Sequence, residues 1–332
     1  MHLPSEVVHP ITAGAGFVVS GAAVAWAGWR IRKSAPPRVI PLIAVLSSFV
    51  FAAQMVNFPI GVSSGHLGGG VLLTALLGPE AAVLGMSAVL TIQCLVFLDG
   101  GLLALGLNIF NMGLVPPLVY TLASKIVLRS GSDERRGRIV ASIISAYLAV
   151  LIGAVLVPFE VSYSKVSMPF TLFLAWMAGV HALIGIGEAV ITGGVVAVLL
   201  KTKPEAFVPG DRQLRLAPVV AAMLGAALFV GFVLSNFASS LPDGLETSLE
   251  KASLATSSEP SVESHGADSQ PSLPTAIMPD YSVPGIEQPF LSTGIAGFVG
   301  TLITFAAAFV FLKMVAAGRS APGSPNSSAP AA

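Results

Sequence analysis

Along this chain, apolar stretches of membrane-spanning length alternate with short polar or basic breaks. The apolar runs cover 13–29, 39–58, 67–77, 81–97, 102–123, 139–157, 172–200, 218–235 and 291–312, bounded by charge or by Pro/Gly. A helix needs about 20 apolar residues to cross the hydrocarbon core of a bilayer. The 67–77 run is too short to cross upright, and it predicts a half-depth helix entered from a loop that dips into the membrane. Counting it, the chain crosses nine times and its termini lie on opposite sides. Residues 237–288 are polar and rich in Ser, Pro and Glu, which predicts a mobile loop between the last two spans. The expected fold is an all-α polytopic bundle: a seven-span unit with an outer loop before its short third segment, then a two-span C-terminal hairpin. The divisions are 1–203, a connector at 204–215, a hairpin unit at 216–314, and a low-complexity tail at 315–332.

The basic residues orient this arrangement. Arg30, Arg32, Lys33 and Arg38 follow the first run, and Lys125, Arg129, Arg135, Arg136 and Arg138 follow the fifth. Lys201, Lys203, Arg212 and Arg215 follow the seventh, and Lys313 and Arg319 follow the last. With nine crossings all of these share one side, and only Lys165 and Lys251 fall on the other. The positive-inside rule then puts the N-terminus outside and the C-terminus in the cytoplasm. If the short third segment were not a crossing, the first cluster would land opposite the other three.

Composition agrees. The 332 residues carry 17 basic and 17 acidic side chains, only 10% charged, with a mean hydropathy of +0.83. Soluble domains carry about 25% charged residues, so an ordinary cytosolic enzyme is excluded. A nucleic-acid binder would show a basic excess. A single cysteine, Cys94, permits neither an intrachain disulfide nor a cysteine zinc site. No GxxxxGK[ST] or HExxH pattern occurs, so there is no P-loop ATPase and no zinc-protease signature.

The chemistry begins at Met1-His2-Leu3-Pro4. A bulky second residue protects the initiator methionine, which keeps the α-amine of Met1. That amine, the His2 backbone amide and the His2 imidazole can close a five- and a six-membered chelate ring on one ion. Three in-plane nitrogens favour Ni(II) or Cu(II) over tetrahedral Zn(II). His66 is the candidate fourth nitrogen, in the glycine-rich stretch 57–70 on the same outer side. The plain alternative stands beside this one: His2 as a chance second residue and His66 as a loop histidine bonded to a carbonyl. His9 is a possible spare ligand, His265 lies in the polar loop and His181 is buried in the seventh run. Asp99, Asn108 and Asn111 lie near the outer ends of runs four and five. They are read either as partners that fix a ligand histidine's tautomer or as helix caps and interhelical hydrogen-bonding groups. Glu188 is the one acid inside an apolar run, with His181 seven residues earlier. That pair reads as structural or as a coupling site, well away from the outer metal site.

Several separated motifs carry a family resemblance. Met1-His2-Leu3-Pro4, the stretch 51–59 with Ser64-Gly65-His66-Leu67, Asp99-Gly100-Gly101-Leu102 with Asn108, and the run 181–192 resemble the CbiM/NikM family. These are substrate-binding components of nickel and cobalt energy-coupling factor transporters. Pro242-Asp243-Gly244-Leu245-Glu246 resembles the signature of the PDGLE domain, a CbiN/NikN-like two-span piece. Ser5-Glu6-Val7-Val8 departs from the usual opening, and Leu107 replaces a small residue.

The resemblance implies a non-enzymatic subunit without a cofactor that captures Ni²⁺, or alternatively Co²⁺, as substrate. It implies a CbiQ/NikQ-like coupling protein and CbiO/NikO-like ATPases as partners. It also implies Met1, His2 and His66 as ligands, with Asn57, Asp99, Asn108 and Asn111 as possible supports. A self-sufficient secondary permease is the alternative, although no internal repeat is visible. A membrane enzyme of cobalamin synthesis lacks any catalytic constellation.

Overall fold

A computed structural model describes residues 2–34, 39–131, 133–163, 169–202, 216–254 and 276–317. Arg38, Lys165, Lys203, Arg212, Arg215, Arg319, His265 and Met1 lie outside the described residues.

The helices are α1 (Pro10–Ser34), α2 (Val39–Gln54), α3 (Gly70–Leu77), α4 (Pro79–Ile92), α5 (Leu105–Ile109), α6 (Val115–Arg129), α7 (Glu134–Val161), α8 (Phe170–Thr202), α9 (Leu216–Phe232), α10 (Gly244–Leu254) and α11 (Pro289–Ala317). Two π-helical turns, Gln93–Phe97 and Phe110–Leu114, extend α4 and join α5 to α6. Among the described residues seven helices are long and apolar enough to cross a membrane. The 39–58 run forms the 16-residue α2. At 1.5 Å per residue, α3 is only about 12 Å long.

The connections show how α3 still completes a crossing. Arg30, near the end of α1, pairs with Glu80, at the start of α4, at 3.2 Å. Ala27, Ile31, Ile40, Ile43, Ala81 and Leu312 form one apolar cluster at that end of the bundle. Therefore α3 must end where α4 begins, beside the basic end of α1. The chain reaches α3 from the opposite end through a hairpin, β1 (Phe58–Ile60) against β2 (Ser63–Gly65), antiparallel with Phe58 opposite Gly65. Loop and half-helix together make the crossing. Such non-helical backbone is tolerated at membrane depth only when it is packed in protein. Here Ser63, Ser64, Gly65 and Leu67 are all buried.

The outer surface is apolar. Val18 and Trp26 on α1, Leu122 and Ile126 on α6, and Val190 and Val198 on α8 are exposed. Lys33 sits 5.1 Å over the Trp29 ring, a pairing of aromatic and cation suited to the membrane interface. The chain is thus a multi-pass membrane protein. The C-terminal hairpin is not an appendage: α9 and α11 pack on each other and on α2. Their crossing is backbone on backbone, for a β-carbon at Gly231 would meet the Gly297 carbonyl oxygen at 2.8 Å. Only glycine permits that approach.

Candidate metal centre

The N-terminal segment is fastened across the mouth of the bundle. Leu3 N–H donates to Asn108 Oδ1 at 2.8 Å, and Asn108 Nδ2 donates back to Leu3 O at 3.2 Å. Gly101 N–H also donates to Leu3 O, at 2.9 Å. Leu3 itself is buried. This double tie places His2 beside Asp99, with Nδ1 to Oδ1 at 3.1 Å. The His2 and His66 rings lie nearly parallel, 5.3 Å between centroids and 13° between planes.

The hydrogen bonds fix the tautomers. A carbonyl oxygen can only accept, so His66 Nδ1–H donates to Leu67 O at 3.1 Å and the ring lone pair falls on Nε2. On the same logic His2 Nδ1 donates to the Asp99 carboxylate. His2 Nε2 is buried with no hydrogen-bond partner among the described residues. The chelate drawn from the sequence uses His2 Nδ1 for its six-membered ring. Here that nitrogen is held by Asp99, so this bond must give way before the ring can close the chelate.

Electrostatics follow the packing. Burial alone would raise the pKa of Asp99, but His2 and the Tyr281 phenol overcome it and hold the carboxyl well below the usual range. The same carboxylate keeps the phenol of Tyr281, already desolvated by burial, protonated well beyond its ordinary range.

Other candidates lie elsewhere than the sequence suggested. Asn108 secures the backbone of Leu3 rather than an imidazole. Asn111 Nδ2 donates to Glu160 Oε2 at 2.8 Å; α7 runs past the predicted 157 limit, which brings this second acid into the bundle. Asn57 lines the open vestibule beside His66, and its carbonyl accepts from Ser239 N–H at 2.8 Å. Glu188 is not remote from the loop. It accepts from Gly68 N at 2.6 Å and Gly69 N at 3.4 Å, two and three residues after His66. The reason is the dip of the loop, which carries Gly68 down to mid-span depth. His181 and Glu188 do not bond each other: His181 Nδ1–H donates to Met177 O at 2.9 Å, and Glu188 is also reached by the Thr192 hydroxyl.

The C-terminal unit reaches the same place. Ser64 N–H donates to Pro242 O at 2.8 Å, and the Ser64 hydroxyl to Leu241 O at 2.8 Å. Asp243 and Glu246 form a reciprocal helix cap: Glu246 N–H donates to Asp243 Oδ1, and Asp243 N–H to Glu246 Oε2. Burial opposes the charge of Asp243, but the Glu246 amide and the nearby His66 and His181 hold its carboxyl below the ordinary range. An open vestibule of about 920 Å³ lies outside His66 and a small cavity of about 60 Å³ inside it; His66 and Asp243 line both. Sequence reasoning found the 242–246 motif but not its docking on the loop, and it missed Tyr281, Gln54 and Gln93. Gln93 donates to Gln54 at 2.8 Å, and Gln54 to Gly68 O at 3.0 Å.

A dipping loop and two stacked imidazoles lie inside a multi-pass apolar bundle, and the relatives of this chain make its class a membrane metal transporter. Residues 2–206 match the family model described as the cobalt uptake substrate-specific transmembrane region, and residues 217–317 match the PDGLE domain. The chain belongs to the CbiM family and carries a fused PDGLE domain. It is 33% identical to a fused nickel transport protein, NikMN, of Archaeoglobus fulgidus, over 94% of this chain and 98% of that one. A metal transport protein of Haloquadratum walsbyi is 34% identical over 66% of this chain and 99% of its own. The crystal structure of a truncated transition metal transporter superposes with a TM-score of 0.55 at 30% identity, over 60% of this chain and 99% of that one. The relatives are named as transport proteins, and the chain is read as a non-enzymatic transporter.

Proposed function

We propose that this protein is the substrate-capturing membrane component of an ATP-driven energy-coupling factor importer. It takes Ni²⁺, in preference to Co²⁺, from the extracytoplasmic face. The ligands are the Met1 amine with its adjoining His2 nitrogens, and His66; Asp99 orients His2, and Asn57, Asn108 and Asn111 support the surrounding loops. The observation that carries this reading is the parallel pair of His2 and His66 at the floor of the vestibule. That vestibule lies at the opposite end of the bundle from Arg30, Lys33 and Lys313. The positive-inside rule makes the basic end cytoplasmic, with the N-terminus outside and the C-terminus inside. Nickel is preferred because in-plane nitrogen donors suit its ligand field, and the name of the Archaeoglobus relative points the same way.

The sequence holds no P-loop, so energy comes from separate CbiO/NikO-like ATPases through a CbiQ/NikQ-like coupling subunit. Residues 1–203 form the capture unit and 216–314 the accessory unit. The test is titration of the full chain, purified with a native N-terminus, with Ni²⁺ and with Co²⁺. His66→Ala should abolish tight binding while the protein stays folded. Full affinity in that variant would place the site elsewhere.

A further inference from the structure

Tyr281 belongs to the C-terminal unit, 182 residues away in sequence from the group it touches. Its phenol donates to Asp99 Oδ2, while the other oxygen of the same carboxylate takes His2. The ring is locked by aromatic packing, stacked on Phe97 at 4.6 Å and 17° and tilted against Phe51 at 6.2 Å. Its backbone is held in an uncommon state, for Asp280 and Tyr281 have φ of 51° and 53°. The opposite side is built in the same way: Leu98 has φ of 59° and Gly100 of 85°, so Asp99 is presented from a left-handed turn. Non-glycine residues in that region cost of order 1–3 kcal/mol each and persist where the surroundings over-determine them. Strain at Tyr281 and at Leu98 beside Asp99, on either side of one hydrogen bond at the wall of the vestibule, points to a role for the bond itself.

The role follows from the chelate geometry, and it rests on the function proposed above. Loading requires His2 Nδ1 to leave Asp99. A carboxylate that already accepts a phenol proton on one oxygen shares its charge, so its grip on the second donor is weaker and its orientation is fixed. We propose that Tyr281 is a positioning residue of the metal site: it sets how firmly and in which direction Asp99 holds His2, so that the C-terminal unit takes part in metal capture through one hydroxyl.

The test uses the full chain with a native N-terminus and the variant Tyr281→Phe, which keeps the stack on Phe97 and removes only the hydroxyl. Ni²⁺ affinity should fall on the order of tenfold, the low end for a hydrogen bond to a charged group, with the melting temperature of the metal-free protein little changed. In an Asp99→Asn background the same substitution should have no further effect on affinity, since the coupling runs through that carboxylate. In metal-free protein labelled with ¹⁵N-histidine, Tyr281→Phe should shift the ring nitrogens of His2 and leave those of His9 and His181 in place. Unchanged affinity and unchanged His2 signals, or an equal loss in the Asp99→Asn background, would overturn the assignment. If the wild-type chain binds neither Ni²⁺ nor Co²⁺, the functional reading fails and this one with it. If wild type binds and His66→Ala does not, a null result for Tyr281→Phe sinks the positioning role alone.

Discussion

Removing the carboxylate of Glu188 should loosen the metal loop from inside the bundle. Glu188 is buried and accepts from Gly68 N–H at 2.6 Å and Gly69 N–H at 3.4 Å. Glu188→Ala leaves both donors without an acceptor. A buried donor left unpaired costs about 1–3 kcal/mol, and the longer bond counts at the low end, giving about 3 kcal/mol together. The neighbouring cavity of about 60 Å³ is large enough for water to enter and satisfy part of the loss, so the net effect is about 2 kcal/mol. For a chain of this size that corresponds to roughly 3 °C in melting temperature.

The loosening should be local. Hydrogen exchange should rise in peptides covering 64–70 and stay unchanged in α7. Nickel affinity should drop on the order of tenfold, because His66 lies two residues from Gly68. Glu188→Gln retains one acceptor oxygen for Gly68 and should show less than half of each change. The assays are thermal melting and exchange mass spectrometry of detergent-solubilised protein. Wild-type melting and wild-type exchange at 64–70 in Glu188→Ala would refute the argument that this side chain anchors the loop.

Adding two or three residues before Met1 should weaken Ni²⁺ binding by several kcal/mol in calorimetry, since the amine becomes an amide and the fused chelate rings are lost. A C-terminal tag should leave affinity unchanged, and equal affinity of the extended form would reject amine ligation. A reporter active only outside the cytoplasm should work within residues 250–275 and fail at the C-terminus; the reverse pattern would overturn the nine-crossing orientation. Stability of the metal-free protein should fall in acid. Asp99, depressed in the fold, contributes above roughly pH 4 and loses its contribution in stronger acid. Melting curves below about pH 4 should therefore slope downward, and an Asp99→Asn variant with an equal slope would reject this account.

Hydrophobic run length carried most of the fold. The short 67–77 run announced a helix that cannot cross alone, and the charges of Arg30, Lys125 and Lys201 required that it nevertheless be counted. The crossing count puts His2 and His66 on one side, and the structure sets their rings side by side. What escaped was contact between distant segments. Nothing near Tyr281 announces that it meets Asp99, because the left-handed turns that present both are products of packing. Depth counted along α8 from its own ends sets Glu188 away from the loop, because nothing in the sequence tells how far the hairpin at 58–65 descends. Asn108 was legible as a buried polar group, but its two bonds to Leu3 depend on a chain end whose path no periodicity encodes.

The packing of α9 and α11 around α2 has a consequence for assembly. Most of α2 is buried, including Ile43, Leu46, Val50 and Phe51. Two separate chains would have to meet in the bilayer to cover it, at a rate and occupancy set by how much of each the cell makes. One polypeptide replaces that encounter with an internal one, at an effective concentration of order millimolar for a short connection. Dilution in the membrane then cannot separate the two units, and their ratio is fixed at one to one. Every molecule inserted brings its own Tyr281 to its own Asp99, independent of expression level.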